Sequence, residues 1–264
     1  MLLVEDVSHT YGRPRGLQRR LIRTASNTDV PALSNIDLRV APGEVVGLVG
    51  PNGAGKTTLM KIISTLLEPT SGHVSVCGFD VKTQADSVRQ VLGLVLSDDR
   101  ALYWRLTGRR NLEFFGVMQG LTRAQSIARA DELLQSVGLA ARDRLVFGYS
   151  SGMRSRLSIA RGLLHRPRVL VLDEPTRALD PVAAMAIGQM LRRTAEEGVA
   201  VLLSSHRLEE IERVCDRIVA IVGGGVRFDG TASELAGQSG FAQALHDLLT
   251  SDDRKVEDDV ADGS

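Results

Sequence analysis

The stretch GPNGAGKTT, Gly50 to Thr58, decides how the rest of the chain is read. Before it runs EVVGLVG (44–50), a continuous apolar segment ending in glycine, the pattern of a strand buried on both faces. After it comes KTTLMKIISTLL (56–67), in which Leu59, Ile62, Ile63 and Leu66 recur at helical spacing. Strand, glycine-rich turn and helix in that order supply the context that the pattern G-x-x-x-x-G-K-[ST] requires. Gly50, Gly53 and Gly55 let backbone N–H groups turn inward around phosphate oxygens, with Pro51, Asn52 and Ala54 filling out the turn. The helix start adds the positive end of its dipole. Lys56 has the reach for β and γ phosphates, Thr57 has a hydroxyl suited to Mg²⁺, and Thr58 follows on the same first turn. Only four of the 32 basic residues are lysines. A chance match is therefore rare, and the flanking strand and helix argue against a plain glycine-rich turn.

Working outward, residues 1–11 and 32–49 read as strands, with alternation in ALSNIDLRV and a turn at Pro42-Gly43. Glu68-Pro69 and Ser71-Gly72 end the first helix, and GHVSVCGFDV (72–81) returns to strand. RRNLEFFGVMQG (109–120) and RAQSIARADELLQSVG (123–138) are helical and form a mostly helical insert. RLSIARGLLH (156–165) is a further helix stopped before Pro167. RVLVLDE, VAVLLSSH and RIVAIV read as buried strands, with the helix RLEEIERVC before the last. Strands alternating with helices predict a parallel α/β core.

Two acids, Asp173 and Glu174, end the apolar strand VLVL. In open parallel sheets ligands sit beyond the carboxyl ends of strands. Asp173 is then placed to hold Mg²⁺, and Glu174 to orient or deprotonate an attacking water. The alternative is two acids capping a strand. Ser150, Ser151, Gly152 and Met153 open a helix with small residues. That arrangement makes either a second anion site or an ordinary serine cap.

Composition bounds the rest. The 264 residues are 43% hydrophobic, enough for one large domain or two small ones. Net charge is zero, so no global field draws the chain to nucleic acid and no such partner is expected. Cys77 and Cys215 stand far apart and give neither a disulfide framework nor a metal cluster. The start, MLLVEDVSHTYG, lacks the basic residues of a signal peptide, and no apolar run approaches a bilayer span. A cytoplasmic protein is expected. Beyond residue 250, Asp252, Asp253, Glu257, Asp258, Asp259 and Asp262 face only Arg254 and Lys255, the composition of a disordered tail.

The phosphate loop, YSSGM, VLVLDEPT, ALD and SSH occur in that order over about residues 1–230. This constellation closely resembles the ATP-binding subunits of ABC transporters. YSSGM stands where the family signature L-S-G-G-Q belongs, Asp180 in Ala178-Leu179-Asp180 matches the D-loop, and His206 matches the switch histidine. Tyr11 stands where the family stacks an aromatic on adenine. The resemblance implies a P-loop NTPase fold: an N-terminal antiparallel β part, a parallel-sheet core (about 1–96 and 152–230) and a helical insert (about 97–151), all in a single domain 1–250. It also implies that two ATP molecules are sandwiched head to tail in a homodimer, or in a pair with a second ABC subunit. Closure and reopening then drive a separate permease from the inner face of the membrane. Within the family, LYWRLTGRRNLEFF and the stretch 149–180 look most like the ATPases of ABC-2-type exporters of drugs and antibiotics.

Two features depart from the family pattern. Ser97, followed by Asp98 and Asp99, stands where the family places a glutamine, so a water or Asp98 is the candidate substitute. Residues 12–28 carry Arg13, Arg15, Arg19, Arg20 and Arg23 with no acid, a solvated loop or a contact to permease or anionic lipid. Leu102, Tyr103 and Trp104 form an apolar knob, read either as core or as a seat for a permease helix. The alternatives are a soluble ABC ATPase acting on nucleic acid or ribosomes, an ABC importer subunit, and a P-loop kinase. The short segment between Lys56 and Ser150, without sustained heptads, argues against the coiled-coil DNA members. The signature and His206 argue against a kinase.

Overall fold

A computed structural model describes residues 1–12, 30–96, 102–236 and 240–250. Two sheets lie among them. The first is antiparallel, ordered β2-β1-β4-β5, from β1 (Leu2–Tyr11), β2 (Val30–Val40), β4 (Ser71–Val76) and β5 (Phe79–Asp80). Alternation along β2 puts Leu33, Ile36, Leu38 and Val40 on the buried face, as a period of two requires. The sequence reading of 72–81 as one strand is corrected here. Cys77 (φ 54°) and Gly78 (φ 86°) both take left-handed backbone and fold the segment into the β4–β5 hairpin.

The second sheet is ordered β10-β9-β3-β8-β7-β6. Its parallel members are β3 (Val45–Val49), β6 (Leu92–Val95), β7 (Val169–Asp173), β8 (Ala200–Ser204) and β9 (Arg217–Val222). β10 (Gly225–Gly230) closes one edge antiparallel to β9. Every residue of β3, β7 and β8 is buried, which is why these strands read as unbroken apolar runs.

The phosphate-loop helix α1 (Lys56–Ile63) is shorter than its periodicity suggests. The Ser64 hydroxyl donates to Met60 O at 2.7 Å and Thr65 turns to φ 62°. The helix stops there, so Leu66 is 58% exposed rather than on the buried stripe, and Glu68-Pro69 is not the terminator. Helix α2 (Ala85–Val91) leads into β6. The helical part holds α3 (Gly108–Met118), capped by Thr107, and α4 (Arg123–Ser136), opened by a Thr122/Gln125 capping box. Helix α5 (Ser151–Gly162) precedes β7, α6 (Pro181–Glu196) precedes β8, and α7 (Leu208–Val214) precedes β9. Helices α8 (Ala232–Ala236) and α9 (Phe241–Thr250) follow β10.

Three apolar clusters hold these layers together. One runs without a break from Leu112, Leu133 and Leu134 of the helical part through Leu157 to Leu172 and Leu203 of the parallel sheet. Helical part and sheet are thus welded by burial worth about 1.5–3 kcal/mol per large side chain. Leu172→Ala, at the sheet side of this seam, costs about 2–5 kcal/mol. A second cluster fills the space between the two sheets, with Leu59 and Ile62 of α1 packed against Val4, Ile36 and Val171. A third seats Phe241 and Leu245 of α9 on Ile211, Ile218 and Ala220. Among the described residues no helix is long and apolar enough to cross a membrane.

Candidate active site

The site lies where β3, β7 and β8 end. β3 feeds the loop 50–55, whose last residue, Gly55, is the helix N-cap at φ 104°. A Cβ on Gly55 would stand 2.4 Å from Ala32 O, and one on Gly50 2.2 Å from Ile221 O. Only glycine satisfies both the space and the backbone conformation. The first turn of α1 leaves N–H groups without intrahelical partners, facing the loop. Lys56 is buried and curls back, its Nζ donating to Gly50 O at 2.6 Å and Pro51 O at 3.0 Å. Burial pulls the Lys56 ammonium below its ordinary pKa, and Glu174 and Asp173 pull it partly back. The lysine nitrogen is held by carbonyl acceptors beside two acids, an arrangement in which phosphate oxygens can replace the carbonyls.

Thr57 Oγ1 donates to Asp173 Oδ2 at 3.1 Å, and Ser204 Oγ donates to Asp173 Oδ1 at 2.7 Å. The pairing of Asp173 with Ser204 follows from the parallel register of β7 and β8. Ser204 Oγ in turn accepts from Glu174 N at 3.0 Å. Glu174 sits at φ 49°, a left-handed conformation that costs a non-glycine residue roughly 1 kcal/mol and turns its carboxylate toward His206. The Glu174 Oε1–His206 Nε2 distance is 2.7 Å, and Arg177 lies 3.5 Å from Oε2. Asn52, Glu174, Arg177 and His206 line one cleft of about 410 Å³. A carboxylate and a hydroxyl 3.1 Å apart form a hard-oxygen donor set of the kind Mg²⁺ takes, with phosphate and water supplying the remainder. Among the described residues no cluster of three metal-ligating side chains exists.

Ser150 is the N-cap of α5, its Oγ accepting from Met153 N at 3.2 Å. Ser151 and Gly152 open the helix, and Ser151 lines a cleft of about 400 Å³ with Glu174 and Ala178. Among the described residues no hydrogen bond joins Ser150–Met153 to the loop 50–58. Asp180 caps α6, accepting from Ala183 N at 3.0 Å, and that bond holds its carboxyl below the ordinary range. Tyr11 is 43% exposed and its hydroxyl lies 3.1 Å from Thr58 Oγ1, with the His9 ring edge-on at 4.8 Å. The aromatic is thereby tied to the first turn of α1. The apolar knob divides: Leu102 is core, whereas Tyr103 and Trp104 are exposed beside Phe114 and Phe147. Ser97, Asp98, Asp99, the arginines between 13 and 23 and the acidic tail from 251 lie outside the described residues.

Sequence reasoning missed a second layer. Glu210 of α7 is buried and its Oε2 accepts from Thr176 Oγ1 at 2.7 Å and from Ser205 Oγ at 2.6 Å. One carboxylate therefore ties the segment after Glu174 to the segment before His206. The signal available was an acid, Glu210, on the buried stripe with Ile211 and Val214. Its partners are not readable from helical spacing. Arg207 adds a bond from its guanidinium to Leu179 O at 2.7 Å.

The family model described as ABC transporter matches residues 33–177. The chain is 46% identical over 213 residues to the daunorubicin resistance ATP-binding protein DrrA3 of Streptomyces coeruleorubidus, covering 80% of this chain and 67% of that one. It is 38% identical over 209 residues to the ABC transporter ATP-binding protein NatA of Bacillus subtilis, covering 78% and 84%. Among solved structures, the dimeric post-hydrolysis state of the ATP-binding cassette MJ0796 bound to ADP and Pi superposes with a TM-score of 0.77. The identity there is 26%, covering 88% of this chain and 98% of that one. Loop, paired acids and overall likeness agree: the chain belongs to the ABC transporter family, as one of its ATP-binding, ATP-hydrolysing subunits.

Proposed function

We propose that the chain is the ATPase of an exporter of small molecules or lipophilic compounds, acting with a separate membrane permease. The observation that carries the hydrolytic part is the cluster of Lys56, Thr57, Asp173, Glu174 and His206 at three adjacent strand ends. In this reading the loop 50–58 takes the phosphate chain of ATP through backbone N–H groups, and Lys56 releases Gly50 O and Pro51 O to bind it. Thr57 and Asp173 hold Mg²⁺, which supplies charge neutralisation on the phosphates when bound. Glu174 accepts the proton of a water that attacks the γ-phosphorus while the bond to the β–γ bridging oxygen breaks and ADP leaves. His206 holds the Glu174 carboxylate through the 2.7 Å contact. Tyr11 faces the adenine ring.

Ser150 to Met153 and Asp180 act across a head-to-tail pair of subunits, each signature covering the γ-phosphate held by the other. The lack of any bond within one chain between Ser150–Met153 and the loop supports this reading. Export is supported by relatives named for daunorubicin and doxorubicin resistance at 38–46% identity. The exposed rings of Tyr103, Trp104 and Phe147 are the proposed seat of the permease, and through it the subunit sits on the inner face of the membrane. The test is Glu174→Gln, which keeps shape and removes the base. ATP affinity should hold while turnover falls about 10²-fold or more. Turnover near wild type, measured with the permease present, would remove Glu174 from this role.

A further inference from the structure

At the far end of the parallel strands from the nucleotide loop, the chain holds an open cleft of about 840 Å³. Its walls are α4, the link between α5 and β7, and the C-terminal half of α6. Arg168 and Val199 on its lining immediately precede β7 and β8, whose carboxyl ends carry Asp173 and Ser204. At ~3.3 Å per residue the length of β7 puts roughly 13 Å of sheet between this cleft and the catalytic acids.

The lining is unbalanced in charge. Arg129 is already matched by Glu132 at 2.5 Å, and its Nη2 donates to Leu163 O at 2.9 Å. Arg166, Arg168 and Arg193 are exposed on the lining, and among the described residues none of these three guanidiniums has a hydrogen-bond or ion-pair partner. The one remaining acid on the lining is Glu197. Between the arginines lies an apolar floor of Leu133, Leu163, Pro167, Met190 and Val199. Three like charges gathered on one concave surface give it a positive potential that attracts an anion. The guanidinium fork matches the oxygens of a phosphate group, and the apolar floor suits a carbon body attached to it.

We propose that this cleft binds a phosphate ester, its phosphate held by Arg166, Arg168 and Arg193 and its carbon body laid on the apolar floor. The site is distinct from the nucleotide loop in place and in chemistry, since guanidiniums rather than backbone N–H groups contact the phosphate. One wall belongs to the helical part and the other to the core, so a bound ester ties the two together. The ester can come from a soluble phosphorylated metabolite or from a phospholipid headgroup.

The experiment uses the full chain with the nucleotide loop saturated by a non-hydrolysable ATP analogue and Mg²⁺. Glycerol 3-phosphate and phenyl phosphate are titrated by calorimetry. Co-sedimentation follows binding to phosphatidylcholine vesicles with and without phosphatidic acid. Arg166→Glu with Arg193→Glu should weaken binding at least about tenfold and leave affinity for the ATP analogue unchanged. Arg166→Gln with Arg193→Gln, which removes the charge without reversing it, decides the matter if the charge-reversed pair misfolds. Binding of the soluble esters that the variants lose supports the site with a metabolite as source. Binding confined to phosphatidic acid vesicles, and lost in the variants, supports it with a phospholipid as source. Binding that the variants leave intact, or no saturable binding of any probe, overturns it.

Discussion

His206 Nε2 lies 2.7 Å from Glu174 Oε1 although the two residues close different strands. The contact exists because β7 and β8 run side by side in parallel with Asp173 opposite Ser204, which sets the next residues of both strands at one mouth. Glu174 is mostly buried and His206 is 46% exposed, so the histidine presents one edge to the carboxylate and the other to the cleft. A group so placed holds the Glu174 carboxylate in one orientation and reaches whatever occupies the cleft.

His206→Ala therefore lowers turnover by about tenfold or more while changing ATP affinity by less than about threefold. Steady-state hydrolysis and equilibrium nucleotide binding on the same preparation check this. An equal loss in both would mean that His206 serves binding rather than the chemical step.

Thr57 and Asp173 share a hydrogen bond at 3.1 Å and supply the two hard oxygens proposed for Mg²⁺. Asp173→Asn removes a charge from a hard cation and leaves the backbone cradle intact. The Mg²⁺ concentration for half-maximal hydrolysis should rise about tenfold or more, with Mg²⁺-free nucleotide binding nearly unchanged. Superimposable Mg²⁺ titrations of wild type and variant would remove Asp173 from the metal.

In a Glu174→Gln background, ATP should convert monomer to dimer in light scattering. Adding Ser151→Arg should abolish that conversion, because bulk and positive charge are placed at the start of α5 where the partner's phosphate is proposed to sit. A double variant that still dimerises with ATP would show that Ser150–Met153 does not act across the pair.

Glu210 accepts from both Thr176 and Ser205, and we predict that it positions the neighbouring Glu174 and His206. Glu210→Ala leaves two buried hydroxyls without an acceptor and should cost about 1–3 kcal/mol of stability. It should also lower kcat with little change in ATP affinity, and Glu210→Gln, which keeps an acceptor oxygen, should recover part of kcat. A loss of stability with kcat unchanged in the folded fraction would leave Glu210 a purely structural tie.

His165 gives a pH signature. Burial pulls its imidazole below the ordinary value; the Leu92 carbonyl, 3.1 Å from Nε2, acts in the opposite direction, and Arg129 adds to the lowering. The folded state thus favours the neutral ring. Its contribution is complete above the unfolded-state pKa near 6.5 and declines as pH falls from there toward the lower folded value, because the unfolded chain takes up the proton first. Urea unfolding at pH 7.5 and 5.5 should show wild type losing more stability on acidification than His165→Gln, by at most about 1 kcal/mol. Equal losses would show that His165 titrates alike in both states.

The loop 50–58 was legible because its chemistry is local. The glycines act through their own backbone, Lys56 and Thr57 bring a side-chain ammonium and hydroxyl at fixed spacing, and nearby apolar runs set the strand before and the helix after. The parallel α/β class was legible for a related reason, since strands buried on both faces leave continuous apolar runs such as VLVL. Local signals also misled. Leu66 kept helical spacing, yet Ser64 and Thr65 had already ended the helix, and Cys77-Gly78 folded an apparent single strand into a hairpin.

By itself the sequence determined which residue types stand at which strand ends, and with them a glycine-rich loop with a lysine and a threonine, followed downstream by two acids and a histidine. Only the tertiary structure decided which side chains meet. Asp173 finds Ser204, Glu210 finds Thr176 and Ser205, and Arg166, Arg168 and Arg193, without partners among the described residues, gather in one cleft on the far side. The physical reason is range. A backbone turn is specified by its immediate neighbours, whereas a hydrogen bond between residues 31 apart, such as Ser204 to Asp173, exists only after strand order and register bring their oxygens within 2.7 Å.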